Sequence, residues 1–198
     1  STPSSSLPFG DRGLLGLDAM THLIEAFLAK GWHPMADGIA LEGLRLAAGA
    51  LPRAFKNGGD LGARGEMLMA SMMGAVAFQK GLGVVHSCAH ALSAIVDMHH
   101  GLANGIMLDH ALAFNAKAVP DRFDRLAQAV GLAKGSEFLG WLAHLKAELK
   151  IPATLKDAGV AADKLDALVR VAVADGCHPS NPVAVSEKDF SDIFRQVL

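Results

Sequence analysis

Apolar residues near the start of the chain recur at spacings of three and four. Leu17, Met20, Ile24 and Phe27 mark one face of a helix, and Lys30-Gly31 with Pro34 beyond supplies its stop signal. A second helix carrying Ile39, Leu44 and Leu46 is predicted after Pro34, and Asn57-Gly58-Gly59 breaks the chain again. Residues 62–78 are apolar nearly all round, a pattern that predicts a central buried helix whose small residues (Ala70, Ser71, Gly74, Ala75, Ala77) let neighbouring backbones approach. The methionines of 67–73 fall at helical spacing and read as core. Gly81 and Gly83 mark a turn before a helix with His86 and His90, and His99-His100-Gly101 marks another before LANGIMLDHALAFN. Further helices are predicted near 121–130, 135–149 and 162–175, and a last one from Ser186, where Ser-Glu-Lys-Asp is a capping-box pattern. Period-two alternation is nowhere sustained. The fold class is therefore all-α, an irregular multi-helix bundle too uneven for a solenoid.

Composition narrows the picture. At 198 residues the chain can bury a full core as one domain. It is 51% hydrophobic but only 6% aromatic and has no tyrosine, which favours small and aliphatic helix formers. A net charge of −2 without long like-charge runs offers no footprint for nucleic acid. The longest charge-free stretches, 67–79 and 81–96, are split by Lys80 and are too short to span a membrane. The Ser/Pro-rich start has no basic region followed by an apolar one, so residues 1–13 read as a leader or linker before a domain at 14–198. Two cysteines, Cys88 and Cys177, suit a reducing cytoplasm.

The candidate chemistry lies in histidines and one carboxylate. Asp18 and His22 are four apart and share a helix face; His86 and His90 repeat that spacing. His-Ser-Cys-Ala-His lacks the glutamate of the zinc-protease motif. Imidazole and carboxylate donors suit Zn²⁺, Fe²⁺ and neighbouring ions rather than Mg²⁺ or Ca²⁺. Spacing alone leaves a metal site and a set of structural polar pairs equally open. Glu25 lies on the Asp18/His22 face and fits either a surface carboxylate or a ligand-orienting one. His33, His110, His144 and His178 read as surface or packing residues.

The run from Gly16 to Asn115 resembles the C-terminal helical domain of the iron-containing (group III) alcohol dehydrogenases, a dehydroquinate synthase-like α domain. Gly-Leu-Asp18-Ala-Met-Thr-His22-Leu-Ile-Glu25-Ala is similar to the family's first signature, and Val85-His86-Ser-Cys-Ala-His90, closing with His100-Gly101-Leu-Ala-Asn104, to its second. Arg64 with Met72 to Phe78, and the tail Cys177-His-Pro-Ser-Asn181-Pro182, extend the resemblance. It implies metal ligands at Asp18, His22, His86 and His100, and a non-ligand catalytic histidine, His90, for proton relay or cofactor positioning. It also implies Fe²⁺, with Zn²⁺ as the alternative, NAD or NADP, a small alcohol or aldehyde substrate, and homo-oligomeric assembly.

There are departures from the family pattern. His99 stands where many members have proline, and His100 is preferred because it keeps the spacing from His86. The segment from Phe78 to His86 is one residue shorter than in several members, and Asp18 is a residue that related maleylacetate reductases tend not to keep. Gly81-Leu-Gly83 is a weak match to a dinucleotide fingerprint. The expectation is therefore the metal-binding half of an NAD(P)-linked alcohol dehydrogenase, with its nucleotide-binding domain absent from this chain. The alternatives are a non-redox metal-dependent hydrolase or lyase, and a non-catalytic helical module.

Overall fold

The computed structural model describes residues 9–198. Among them are nine α-helices and no strand: α1 (Phe9–Leu28), α2 (Pro34–Lys56), α3 (Leu61–Ala77), α4 (Val84–Val96), α5 (His100–Ala116), α6 (Pro120–Ala129), α7 (Phe138–Glu148), α8 (Leu165–Ala174) and α9 (Glu187–Arg195). Local signals set several boundaries. Pro34 opens α2 at a position where its missing N–H costs nothing, and His33 caps that helix through Nδ1, which accepts from the Ala36 amide at 3.2 Å. Asp60 caps α3 at 2.9 Å from the Ala63 amide. The capping box at Ser186 is present, with Asp189 as its partner. Among the described residues no single helix is long and apolar enough to cross a membrane.

The first helix begins earlier than the sequence suggests. Residues 9–13, assigned to a leader, lie in α1, while the leader's residues 1–8 fall outside the described residues. Two glycines lower helix propensity there, but packing offsets this at Gly13. Gly13 is buried, with Phe55 and Leu149 where a Cβ would stand.

The centre of the bundle is α1, not the 62–78 helix. Leu17, Met20, Leu23, Ile24 and Phe27 are fully buried, and Thr21 and Glu25 on the same helix are buried with them. Full burial of each large side chain is worth about 1.5–3 kcal/mol. α1 packs on α2, α3 and α5, and α4 packs on α5 and α8.

The expected central position of 62–78 is corrected. Only Ala63, Ala70, Gly74 and Ala77 of α3 are buried, against α1 and α2. Its opposite face leaves Leu61, Leu68, Met69, Met72 and Val76 exposed, Met72 by 57%. Two of the four methionines read as core thus lie at the surface. An apolar stripe on both sides of a helix shows that each side is compatible with burial, not that this bundle covers both. Beyond a 3-10 turn ending at Lys80 the chain swings by 104° into α4, and this bend carries the α4 histidines back onto α1.

Candidate metal centre

Three helices deliver the polar cluster. Asp18 and His22 lie one turn apart on α1, His86 sits in the first turn of α4 with His90 one turn later, and His100 is the first residue of α5. The ring centroids of His22 and His86 are 4.4 Å apart and those of His86 and His100 are 5.6 Å apart. His90 stacks on His100 at 5.3 Å with 20° between the planes. Donor atoms of Asp18, His86 and His100 all lie within 4.8 Å of one another, and His22 adjoins this triad through its contact with His86. His99 caps α5 and is exposed, so His100 rather than its neighbour enters the cluster.

Each imidazole is held by a specific partner. His22 Nδ1 lies 2.9 Å from its own helix's Asp18 carbonyl oxygen, an acceptor, so Nδ1 carries the proton and Nε2 is left as a lone-pair nitrogen. His86 Nδ1 lies 2.7 Å from Glu25 Oε2, which forces the same tautomer. Its Nε2 is then a buried nitrogen with no hydrogen-bond partner. Such an orphan is costly unless something else meets it. Asn104, one turn along α5 from His100, donates from Nδ2 to Asp18 Oδ1 at 2.7 Å and sits 3.0 Å from His100 Nε2, while its Oδ1 is a second buried atom without a partner. Two orphaned acceptors in one cluster of N and O donors fit a cation better than a closed structural network.

Glu25 fixes more than a tautomer. It accepts from the backbone amides of Gly83, Val85 and His86 at 3.1, 2.7 and 3.2 Å, which are the otherwise orphan donors at the start of α4. A carboxylate from α1 thereby caps α4 and offsets the positive end of its dipole. The cap requires Gly83, because a Cβ there would lie 2.6 Å from Asn181 Oδ1 and 2.8 Å from Glu25 Oε1. Asn181 accepts from the Val84 amide at 3.2 Å and pairs reciprocally with Asn115, tying the tail to the same helix start. Of the two readings open for Glu25, the surface carboxylate is ruled out: the side chain is 1% exposed and orients His86.

Electrostatics keep the ring nitrogens available. Burial lowers the pKa of His22, aided by nearby His86 and opposed by Asp18. Burial likewise lowers that of His100, with Asp18 opposing and the other histidines assisting. Neutral imidazole is the form that coordinates metal.

His90 occupies the rim, its side chain 41% exposed, with Nδ1 2.7 Å from Asp175 Oδ2. Asp175 also accepts at Oδ1 from Ser87 Oγ at 2.6 Å and from the Cys177 amide at 2.8 Å. Burial opposes ionisation of Asp175, but these donors outweigh it and hold its pKa down at about 2. Cys177 Sγ lies 4.0 Å from His90 Nδ1, yet burial and then the Asp175 charge push its thiol up to about 12, which disfavours a thiolate nucleophile. Cys88 is fully buried, and burial likewise raises its thiol.

Sequence reasoning missed Asp175, Ser87 and the role of Asn104. One signal existed for Asp175: it is the C-cap of α8, where the helix dipole disfavours a carboxylate. The four histidines set aside as incidental all engage the backbone. His33 caps α2, and His110, His144 and His178 lie 3.0, 2.7 and 3.0 Å from the carbonyl oxygens of Ala153, Gly140 and Val173.

The sequence model described as Fe-containing alcohol dehydrogenase family, C-terminal, matches residues 14–198. The 4-hydroxybutyrate dehydrogenase of Cupriavidus necator is 39% identical over 201 residues, covering 97% of this chain and 53% of that protein. The 1,3-propanediol dehydrogenase of Citrobacter freundii is 35% identical, covering 92% and 50%. A crystal structure of a 1,3-propanediol oxidoreductase superposes with a TM-score of 0.94 at 32% identity, over 98% of this chain and 53% of that one. The chain thus spans about half the length of the relatives it matches. With that match over its helical domain and the clustered histidines, the chain belongs to the Fe-containing alcohol dehydrogenase family and corresponds to that family's C-terminal, all-helical region.

Proposed function

We propose that this chain is the metal-holding helical half of a cytoplasmic, homo-oligomeric NAD(P)-linked alcohol dehydrogenase that interconverts a small alcohol and its aldehyde by hydride transfer. Asp18, His22, His86 and His100 would hold the divalent ion, which we take to be Fe²⁺ in preference to Zn²⁺. The observation that carries this reading is the buried, partnerless Nε2 of His86 beside Asp18 and His100. Three neutral imidazoles and one carboxylate leave a divalent cation with residual positive charge, so that when bound it supplies Lewis-acid stabilisation for the oxygen of an alcohol or aldehyde.

The chain's own residues do the remaining work. Glu25 and the Asp18 carbonyl aim His86 and His22, and Asn104 holds Asp18 in place. His90, at the rim and open to solvent, is the group suited to exchange a proton with the substrate hydroxyl. Among the described residues no strand, Gly-rich turn and helix form a dinucleotide site, so we assign NAD or NADP to a separate nucleotide-binding domain. The names of the relatives, 4-hydroxybutyrate and 1,3-propanediol dehydrogenases, support a short substrate with a terminal hydroxyl.

The test compares the Fe²⁺-loaded chain alone with the same chain joined to the N-terminal half of a relative, assayed with NAD⁺ or NADP⁺ and short primary alcohols. Metal-dependent turnover is expected only in the joined protein. Turnover by the chain alone contradicts the division of labour, and a well-folded joined protein without metal-dependent turnover contradicts the reaction.

A further inference from the structure

Asp175 and His90 meet across 85 residues, and both oxygens of that carboxylate take donors. Oδ1 takes two donors, the Ser87 hydroxyl and the Cys177 amide, and Ser87 Oγ in turn accepts from the His178 amide at 3.0 Å. This ties Oδ1 to the start of α4 and leaves Oδ2 facing His90. An ionised carboxylate can only accept, so the ring must donate from Nδ1. A neutral imidazole carries one proton, and Nε2 is then its lone-pair nitrogen. The ring itself is clamped by stacking on His100.

We propose that Asp175 is a positioning residue for the dehydrogenase reaction. Held by Ser87 and the Cys177 amide, it fixes His90 in the Nδ1–H tautomer, so that Nε2 is a ready acceptor for the substrate's hydroxyl proton. In the oxidation direction the O–H bond breaks, Nε2 gains the proton, and the ring becomes an imidazolium whose charge lies against Asp175. In the reduction direction the same proton returns to the oxygen. The assignment rests on the function proposed above for the identity of the proton donor, but the tautomer is a property of this chain alone.

The test is nitrogen-15 NMR of the imidazole side chains in the metal-free chain at about pH 9, where ordinary imidazoles are neutral. The expected spectrum gives His90 a protonated Nδ1 and an unprotonated Nε2, with a bias of about tenfold or more from a hydrogen bond to a charged acceptor. Asp175→Asn should remove that bias, because an amide can donate to Nδ1 as well as accept from it. Ser87→Ala, which removes one of the two donors holding Oδ1, should weaken that bias without reversing it. A wild-type His90 protonated at Nε2, or an Asp175→Asn chain with an unchanged tautomer, overturns the proposal. The wild-type spectrum alone can do so, so the test survives a variant that fails to fold. It needs neither metal nor nicotinamide: a wrong tautomer counts against Asp175, and absent metal binding counts against the proposed function.

Discussion

Glu25 Oε2 and His86 Nδ1 lie 2.7 Å apart, joining α1 to α4 across 61 residues at a point where both side chains are 1% exposed. Glu25 has two roles at once. It caps the start of α4 through the backbone amides there, and its contact with His86 turns Nε2 of that ring toward Asp18 and His100. Under the proposed function, stability and metal affinity are coupled through one carboxylate.

Glu25→Gln tests that coupling. The substitution keeps the shape but brings an NH₂ group toward donors that Glu25 now satisfies. Metal affinity should fall by about 10–100-fold, as is typical when a partner orienting a ligand histidine is lost. Isothermal titration with Zn²⁺ on folded protein measures it, and unchanged affinity would mean that His86 needs no orienting carboxylate.

Gly83→Ala should be destabilising by about 1–3 kcal/mol, the usual cost of forcing atoms into a packed site. The added Cβ would press on Asn181 Oδ1 and Glu25 Oε1, both of which bond the start of α4. Urea unfolding reads the loss directly. A variant as stable as wild type would show that the cap relaxes freely.

Asp175 gives a pH dependence of known sign. Its native pKa, about 2, lies below the ordinary 3.8, so the ionised carboxylate stabilises the fold. That contribution is complete above about pH 4 and is lost as pH falls through about 2. It is expected to be about 1 kcal/mol, less than the shift alone implies because solvent screens a part-exposed group. Asp175→Asn should thus be less stable than wild type at pH 7, with the gap narrowing below pH 4. A gap of constant size across that range would assign the loss to packing instead.

The exposed apolar stripe of α3 makes a different claim. Met72→Lys and Leu68→Glu replace side chains that contribute little to this core, so stability should change by no more than about 0.5 kcal/mol. Solubility should rise, because a contiguous apolar patch promotes association. A loss of several kcal/mol on chemical unfolding would place these residues in the core after all.

These residues also mark what the sequence made legible. Helix number and most limits, apart from the start of α1, followed from three-and-four spacing and from Gly/Pro breaks, because those signals are local. Asp18 and His22 were readable as a pair since a helix fixes their common face. The partners Glu25–His86 and Asp175–His90 were not, because distant packing of α1 and α8 on α4 makes those contacts. The orientation of α3 was hidden for a related reason: an all-round apolar pattern does not say which face this bundle covers. The start of α1 was obscured by its glycines, and at Gly13 the low propensity is offset by burial against Phe55 and Leu149.

The central claim is that Asp18, His22, His86 and His100 hold one divalent metal. Anaerobic Fe²⁺ binding by the purified chain, measured by equilibrium dialysis with metal analysis on wild type and His86→Ala, tests it most directly. The wild type should hold a single tightly bound ion. Free metal at a hundred times Kd should add about 2.7 kcal/mol, raising the melting temperature by roughly 5–10 °C for a domain of this size. His86→Ala should lose both effects while still unfolding cooperatively. A wild-type chain that binds no metal and melts at the same temperature with or without it, or a His86→Ala chain that binds as tightly as wild type, would mean that these four residues are not a metal site.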